Sequence, residues 1–279
     1  MSSLFRLKII IFFISIFISC TTDSQEIQNS DVKHSIGLFG GSYTRASGSE
    51  IVINMWKDSL SFDVINYGEH GYGFSSLQGS IQTSVENAEI LDTYVLWAST
   101  NDFMYNRDVG SVNDYSANDG YNELKRITQC GGINYCIRKL REKNPSCKII
   151  FISSIPVFTI PAGYLTDSCN VTGYSFYDYV KGQEECCLMQ NVAFLNLFDS
   201  GLFTVDNYRD YFLPNDIHLN SAGYTLIASP IFSYISSIIN GNEACMESVI
   251  NNIQEYRKPV KYIQNKKLII ENNGRKFFL

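Results

Sequence analysis

The chain has 279 residues, 45% of them hydrophobic and 18% charged, with a formal net charge of -6. That length and apolar content allow a sizeable core, most simply in one α/β domain. The acidic balance argues against a nucleic-acid partner, because phosphate backbones demand clustered Lys and Arg, and no run of like charges marks an interaction tail.

The first residues read as a targeting segment rather than as fold. Arg6 and Lys8 precede an apolar run from Ile9 to Ile18, too short to span a bilayer as a mature helix. It ends in Phe17-Ile18-Ser19-Cys20 and gives way to polar residues from Thr21 to Glu26. This resembles a bacterial lipoprotein signal. By that resemblance residues 1–19 are removed, Cys20 is lipidated, and residues 20–34 form a tether. An ordinary secretory signal and an uncleaved anchor are the alternatives. The expectation is a lipid-anchored protein of the cell envelope of a Gram-negative bacterium, on the periplasmic or cell-surface side.

Such a compartment permits disulfides. Without Cys20, seven cysteines remain (Cys130, Cys136, Cys147, Cys169, Cys186, Cys187 and Cys245), so at least one is free or pairs outside the chain. Cys130 with Cys136, and Cys169 with Cys186 or Cys187, are candidate clips. No spacing resembles a zinc site, so no metal and no cofactor are expected.

Ser35 to Phe39 reads as a short buried strand that breaks at Gly40-Gly41-Ser42. Glu50 to Leu60 comes next as a helix, with Ile51, Ile53, Met55 and Trp56 on its apolar side. Phe62 to Tyr67 is a second strand, ending in the glycine-rich segment Gly68 to Gly73. The pattern then predicts a helix over Ser76 to Glu89 and a strand over Thr93 to Ala98. After a polar loop from Asn106 to Asn118, a helix is expected from Tyr121 to Glu142, interrupted or bent near Gly131-Gly132. Cys147 to Ile155 is a continuous apolar run suited to an interior parallel strand. Pro156 to Gly173 is a loop, Tyr174 to Met189 a helix, Val192 to Phe198 a fifth strand, and Ser221 to Ile239 a last helix. Residues 242–279 form an extension in which Asn272-Asn273-Gly274 signals a β-hairpin. Five strands alternating with helices predict a parallel sheet covered on both faces. Ligands bind outside the C-terminal strand ends of such sheets.

Three candidate positions fall at those ends. Ser42 follows two glycines after the first strand, where a hydroxyl is presented without steric hindrance; a helix cap explains the same triplet. Gly71 follows the second strand, where an N–H with no Cβ beside it can reach a developing oxyanion; it also reads as a turn glycine. Asn101, beyond the third strand, offers an amide donor or an Asx turn, and Asp102 beside it suits a loop brace. Of three histidines, His218 sits in Asn215-Asp216-Ile217-His218, just before the last helix, as suits a general base. His70 reads as a loop residue.

In order and spacing these blocks resemble the SGNH hydrolase (GDSL esterase/lipase) superfamily. Gly40-Gly41-Ser42 matches its first block, Gly71 its second, and Ser99-Thr100-Asn101-Asp102 its third, with serine in place of the first glycine. Asn215 to His218 matches its fifth. The resemblance covers residues 35–241 and implies a flavodoxin-like three-layer α/β/α sandwich with a five-stranded parallel sheet. It implies Ser42 as nucleophile, His218 as base, and Ser42, Gly71 and Asn101 as oxyanion-hole donors. The family's triad aspartate falls on Asn215, and Asp216 lies only two residues before the histidine. This leaves three arrangements: support of His218 by Asn215, a shift that brings Asp216 into the role, or a fold without turnover. The expected activity is hydrolysis of a small ester, such as an acetyl group on an acylated glycan. A surface lipoprotein that binds glycans without turnover is the rival.

Overall fold

The computed structural model describes residues 34–60, 62–75, 79–158, 169–214 and 216–241, together with three strands in the tail. Cys20 and Asn215 lie outside the described residues.

Strands β1 (Ser35–Gly40), β2 (Asp63–Asn66), β3 (Thr93–Trp97), β4 (Lys148–Ile152) and β5 (Ala193–Leu195) form a wholly parallel sheet in the order β2-β1-β3-β4-β5. Side chains alternate across it because the strand period is two. Phe39, Tyr94, Leu96, Ile149 and Phe151 face one core. Leu38, Val95, Trp97, Ile150 and Ile152 face the other.

The first core is closed by α3 (Ile81–Glu86), α5 (Gln129–Lys143) and α6 (Phe176–Met189), through residues such as Val85, Ile133 and Val180. The second is closed by α2 (Glu50–Leu60) and α8 (Ser221–Asn240), through Val52, Trp56, Tyr224, Ile227 and Ile231. The result is the three-layer α/β/α sandwich. Helix α8 is long and apolar enough to cross a membrane, but its apolar stripe is spent on the sheet.

Element boundaries depart from expectation where capping decides them. The helix expected from Tyr121 starts eight residues later, at Gln129. Thr128 caps it by accepting from the Gly131 N–H, and 3₁₀ turns at Ala117–Asp119 and Glu123–Lys125 precede it. Gly131 and Gly132 do not interrupt it. They lie in its first turn, where a Cβ would strike the carbonyls of Lys125 and Phe74. Helix α6 begins with a capping box between Ser175 and Asp178.

The expected clips are absent: Cys130, Cys136, Cys147, Cys169, Cys186 and Cys187 are all free. Cys130 and Cys136 are both on α5, too far apart along one helix to bridge. Cys169 is exposed, whereas Cys186 and Cys187 are buried on α6.

In the tail, β7 (Lys267–Asn272) and β8 (Arg275–Phe278) pair antiparallel, as the hairpin signal predicts, and β6 (Val260–Gln264) pairs with β7 to make three strands.

The strand order places a topological switch between β1 and β3. The chain leaves β1 toward β2 on one side and returns to β3 on the other, which opens a crevice at their C-terminal ends.

Candidate active site

Ser42 opens α1 (Ser42–Arg45), the four-residue helix just after β1. It is buried, and its peptide is held by close approaches that only glycine allows. A Cβ on Gly41 would stand 2.7 Å from Asn101 Nδ2, 2.7 Å from the Tyr72 carbonyl and 2.8 Å from Ser99 Oγ. The β1–α1 turn and the segment after β3 are thus pressed together.

That segment is α4 (Asn101–Met104). The Asn101 amide donates to the Tyr72 carbonyl at 2.8 Å, and Ser99 Oγ donates to the same oxygen at 3.1 Å. Ser99, which departs from the family's glycine, therefore helps to seat Asn101 and to anchor the loop after β2. One Asn101 N–H remains for another acceptor. Asp102 braces the same loop from below. Its carboxylate accepts from the Phe74 and Ser75 N–H groups at 2.7 and 3.1 Å and from Ser75 Oγ at 2.8 Å. Burial raises the Asp102 carboxyl above its ordinary value despite those donors. Gly71 lies on this loop with φ +78°, a conformation L-residues with side chains rarely adopt. Among the described residues neither the Ser42 nor the Gly71 N–H has a backbone acceptor. His70, next to it, is exposed.

His218 reaches the crevice from the turn between α7 (Tyr208–Tyr211) and α8. Phe212 and Leu219 form an antiparallel bridge, and the Leu213 N–H donates to the His218 carbonyl at 2.9 Å. Asn220 closes the turn by capping α8, accepting from the Gly223 N–H at 3.0 Å. Nε2 of His218 stands 2.8 Å from Ser42 Oγ, and Nδ1 stands 2.7 Å from Asp216 Oδ1. A carboxylate accepts only, so the ring proton sits on Nδ1 and Nε2 is left to accept from serine.

The same Asp216 oxygen accepts from the N–H groups of Ile217 (2.6 Å) and His218 (3.2 Å). Partial burial alone would raise the Asp216 carboxyl. The hydrogen bond and charge of His218, with those two N–H groups, outweigh it and hold the carboxyl below its ordinary value. The carboxylate that meets His218 is thus two residues away, not three. This contact is the one the shifted arrangement expects; Asn215 lies outside the described residues.

Tyr43, which sequence reasoning does not single out, fixes the histidine's other side. It is buried, and its ring meets the imidazole edge to face at 6.3 Å. Its hydroxyl donates to the Ile217 carbonyl at 3.4 Å, and Tyr224 donates to the Tyr43 carbonyl at 3.0 Å. Burial pushes the Tyr43 phenol far up, so it stays a neutral donor. Its place after a candidate nucleophile is its only sequence signal. Among the described residues no group of three or more His, Cys, Asp or Glu converges to hold a metal ion.

A serine hydroxyl on an imidazole, a carboxylate behind that imidazole, and N–H groups without a backbone acceptor nearby make the arrangement that nucleophilic hydrolysis calls for. Residues 38–226 match the model of the GDSL-like Lipase/Acylhydrolase family, and the chain belongs to that family, within the SGNH hydrolases.

Among solved structures, the fold is similar to a protein from Lactobacillus plantarum at 18% identity, with a TM-score of 0.63, covering 74% of this chain and 97% of that one. It is also similar to a possible lipase from Chitinophaga pinensis at 16% identity, with a TM-score of 0.58, covering 74% and 98%. No curated protein sequence matches the chain.

Proposed function

We propose that the chain is a serine ester hydrolase working through an acyl-Ser42 intermediate. The single observation that carries this reading is the hydrogen-bonded line from Ser42 Oγ through His218 to Asp216, at 2.8 and 2.7 Å. His218 Nε2 removes the hydroxyl proton as Ser42 Oγ attacks the ester carbonyl carbon. The N–H groups of Ser42 and Gly71 and the spare Asn101 amide hydrogen receive the oxyanion. The imidazolium, steadied by Asp216, returns its proton to the alcohol oxygen as the C–O bond breaks. Water, deprotonated by the same nitrogen, then releases the acid and restores Ser42.

The preferred substrate is an O-acetyl or other small acyl ester on a glycan. Exposed Tyr105, whose hydroxyl lies 3.3 Å from where a Cβ on Gly71 would stand, favours this, since a tyrosine face suits a sugar ring. A fluorescent phosphonate that labels the wild type and not Ser42→Ala, together with 4-nitrophenyl acetate turnover, tests the reading. Absence of both would leave a glycan-binding fold without turnover. That rival draws its force from Asn215 in the acid position, and Asp216 at 2.7 Å from the imidazole weakens its premise.

We also infer a lipid anchor at Cys20, from the apolar run and the Phe17-Ile18-Ser19-Cys20 junction. Cys20→Ala should move the protein from the membrane fraction to the soluble one. Unchanged fractionation would refute the anchor.

A further inference from the structure

We propose that Tyr105 and Arg107 form a subsite beside the reacting carbonyl that selects esters carrying a carboxylate, in the setting of an O-acylated acidic sugar. The proposal rests on the ester-hydrolase reading for its substrate, and on three independent features of the structure for its chemistry.

The first is position. Tyr105 is the C-cap of α4, four residues beyond Asn101, and is 54% exposed. Its hydroxyl lies 3.3 Å from where a Cβ on Gly71 would stand. An open aromatic side chain thus borders the N–H assigned to the oxyanion.

The second is the cation. The Arg107 guanidinium lies 5.9 Å from the Tyr105 ring centroid, in reach of a cation–π contact that orients its fork. Among the described residues Arg107 has no ion-pair partner and no side-chain hydrogen bond. The acids near it are engaged elsewhere. Asp102 feels the Arg107 charge through space, but its oxygens are taken up by Phe74 and Ser75, and exposed Asp108 accepts from the Gly110 N–H at 2.9 Å. In a chain of net charge -6, a half-buried arginine whose guanidinium has no carboxylate in ion-pair contact among the described residues suits one brought by the ligand.

The third is rigidity. The Arg107 N–H donates to the Asp102 carbonyl at 2.9 Å, and its own carbonyl accepts from Tyr179. Asn106, between the two residues, holds φ 54° in the left-handed region, and its side chain accepts from the Val171 N–H at 3.2 Å. The backbone that carries the pair is fixed from both sides, so little ordering is left for binding to cost.

The carboxylate can arrive on the alcohol or on the acyl side, and two substrate pairs separate these cases: 4-acetoxybenzoate against its methyl ester, and the 4-nitrophenyl monoester of adipate against 4-nitrophenyl hexanoate. In at least one pair the carboxylated ester should win by about tenfold in kcat/KM at low salt, as one charge-assisted pair would give. Arg107→Ala and Tyr105→Ala should bring that ratio close to unity, Arg107→Lys should keep part of it, and added salt should erode it. Wild-type turnover with no preference in either pair, or a preference that survives Arg107→Ala, overturns the subsite and leaves the hydrolase reading standing. Calorimetric titration of Ser42→Ala with 4-acetoxybenzoate gives the converse arm. Binding there that Arg107→Ala removes, in a wild type that turns over no ester, overturns the hydrolase reading and leaves the subsite.

Discussion

The two halves of the site are built by opposite means. Ser42, Gly71 and Asn101 come from three strand ends and are held by long-range approaches. Gly41 meets Asn101 and Tyr72, and Asp102 carries the loop after β2. His218 and Asp216 come from one turn, and their contact spans two residues. The first half depends on the sheet as a whole, whereas the second is a local ring that reuses one carboxylate oxygen for two N–H groups and the imidazole. Loss of one side chain should therefore act differently in each half: on chemistry with only a small change in stability in the local ring, and on both chemistry and loop position in the long-range half.

The sharpest test of the joint between the halves is Ser42→Ala, which should lower 4-nitrophenyl acetate turnover by about 10³-fold or more. Within the local ring, Asp216→Asn should cost about 10³- to 10⁴-fold in kcat by misorienting the imidazole. Asn215→Ala should cost much less, and the reverse order would break the shifted-acid arrangement.

In the long-range half, Asn101→Ala should lower kcat by about 10²- to 10³-fold, the usual cost of one oxyanion donor. Because it also removes one of the two donors on the Tyr72 carbonyl, hydrogen exchange in the 66–75 loop should speed up, which no change in the local ring should do. Asp102→Ala strips acceptors from three buried donors, each costing about 1–3 kcal/mol when unpaired. Urea unfolding should register that as a lower midpoint, and an unmoved midpoint would remove Asp102 from its bracing role.

The smallest effect concerns pH. The Asp216 carboxyl is held below its ordinary value in the fold. Its stabilising contact is therefore complete above the unfolded aspartate pKa, about 4, and is lost as pH falls through the folded value. The stability gap between wild type and Asp216→Asn should be level above about pH 5 and shrink toward acid. Solvent screening keeps it small, as the side chain is 39% exposed. A gap that instead widens toward acid would contradict the assignment.

Legibility in the sequence divides along the same line. Strand-end positions can be read because a buried parallel strand announces itself by an apolar run, and the residues just past its end must lie at the sheet's edge. Helix starts near Thr128 and Ser175 are displaced by eight and two residues, since a side-chain cap competes with periodicity there. The acid partner of His218 is harder. Spacing points to Asn215, and only the bridge between Phe212 and Leu219 and the cap at Asn220 turn the chain so that Asp216 meets the ring.

The order of strands and helices, and the four blocks that carry Ser42, Gly71, Asn101 and His218, were determined by the sequence itself, because each rests on local chemistry repeated at strand ends. Tertiary structure decided the contacts that a linear spacing cannot encode. It brought the Ser99 hydroxyl and the Asn101 amide onto the one carbonyl of Tyr72, set Tyr43 against the imidazole, and gave the triad contact to Asp216. Hydrogen-bond geometry depends on direction as well as on distance along the chain, and direction is set only when the turn is packed.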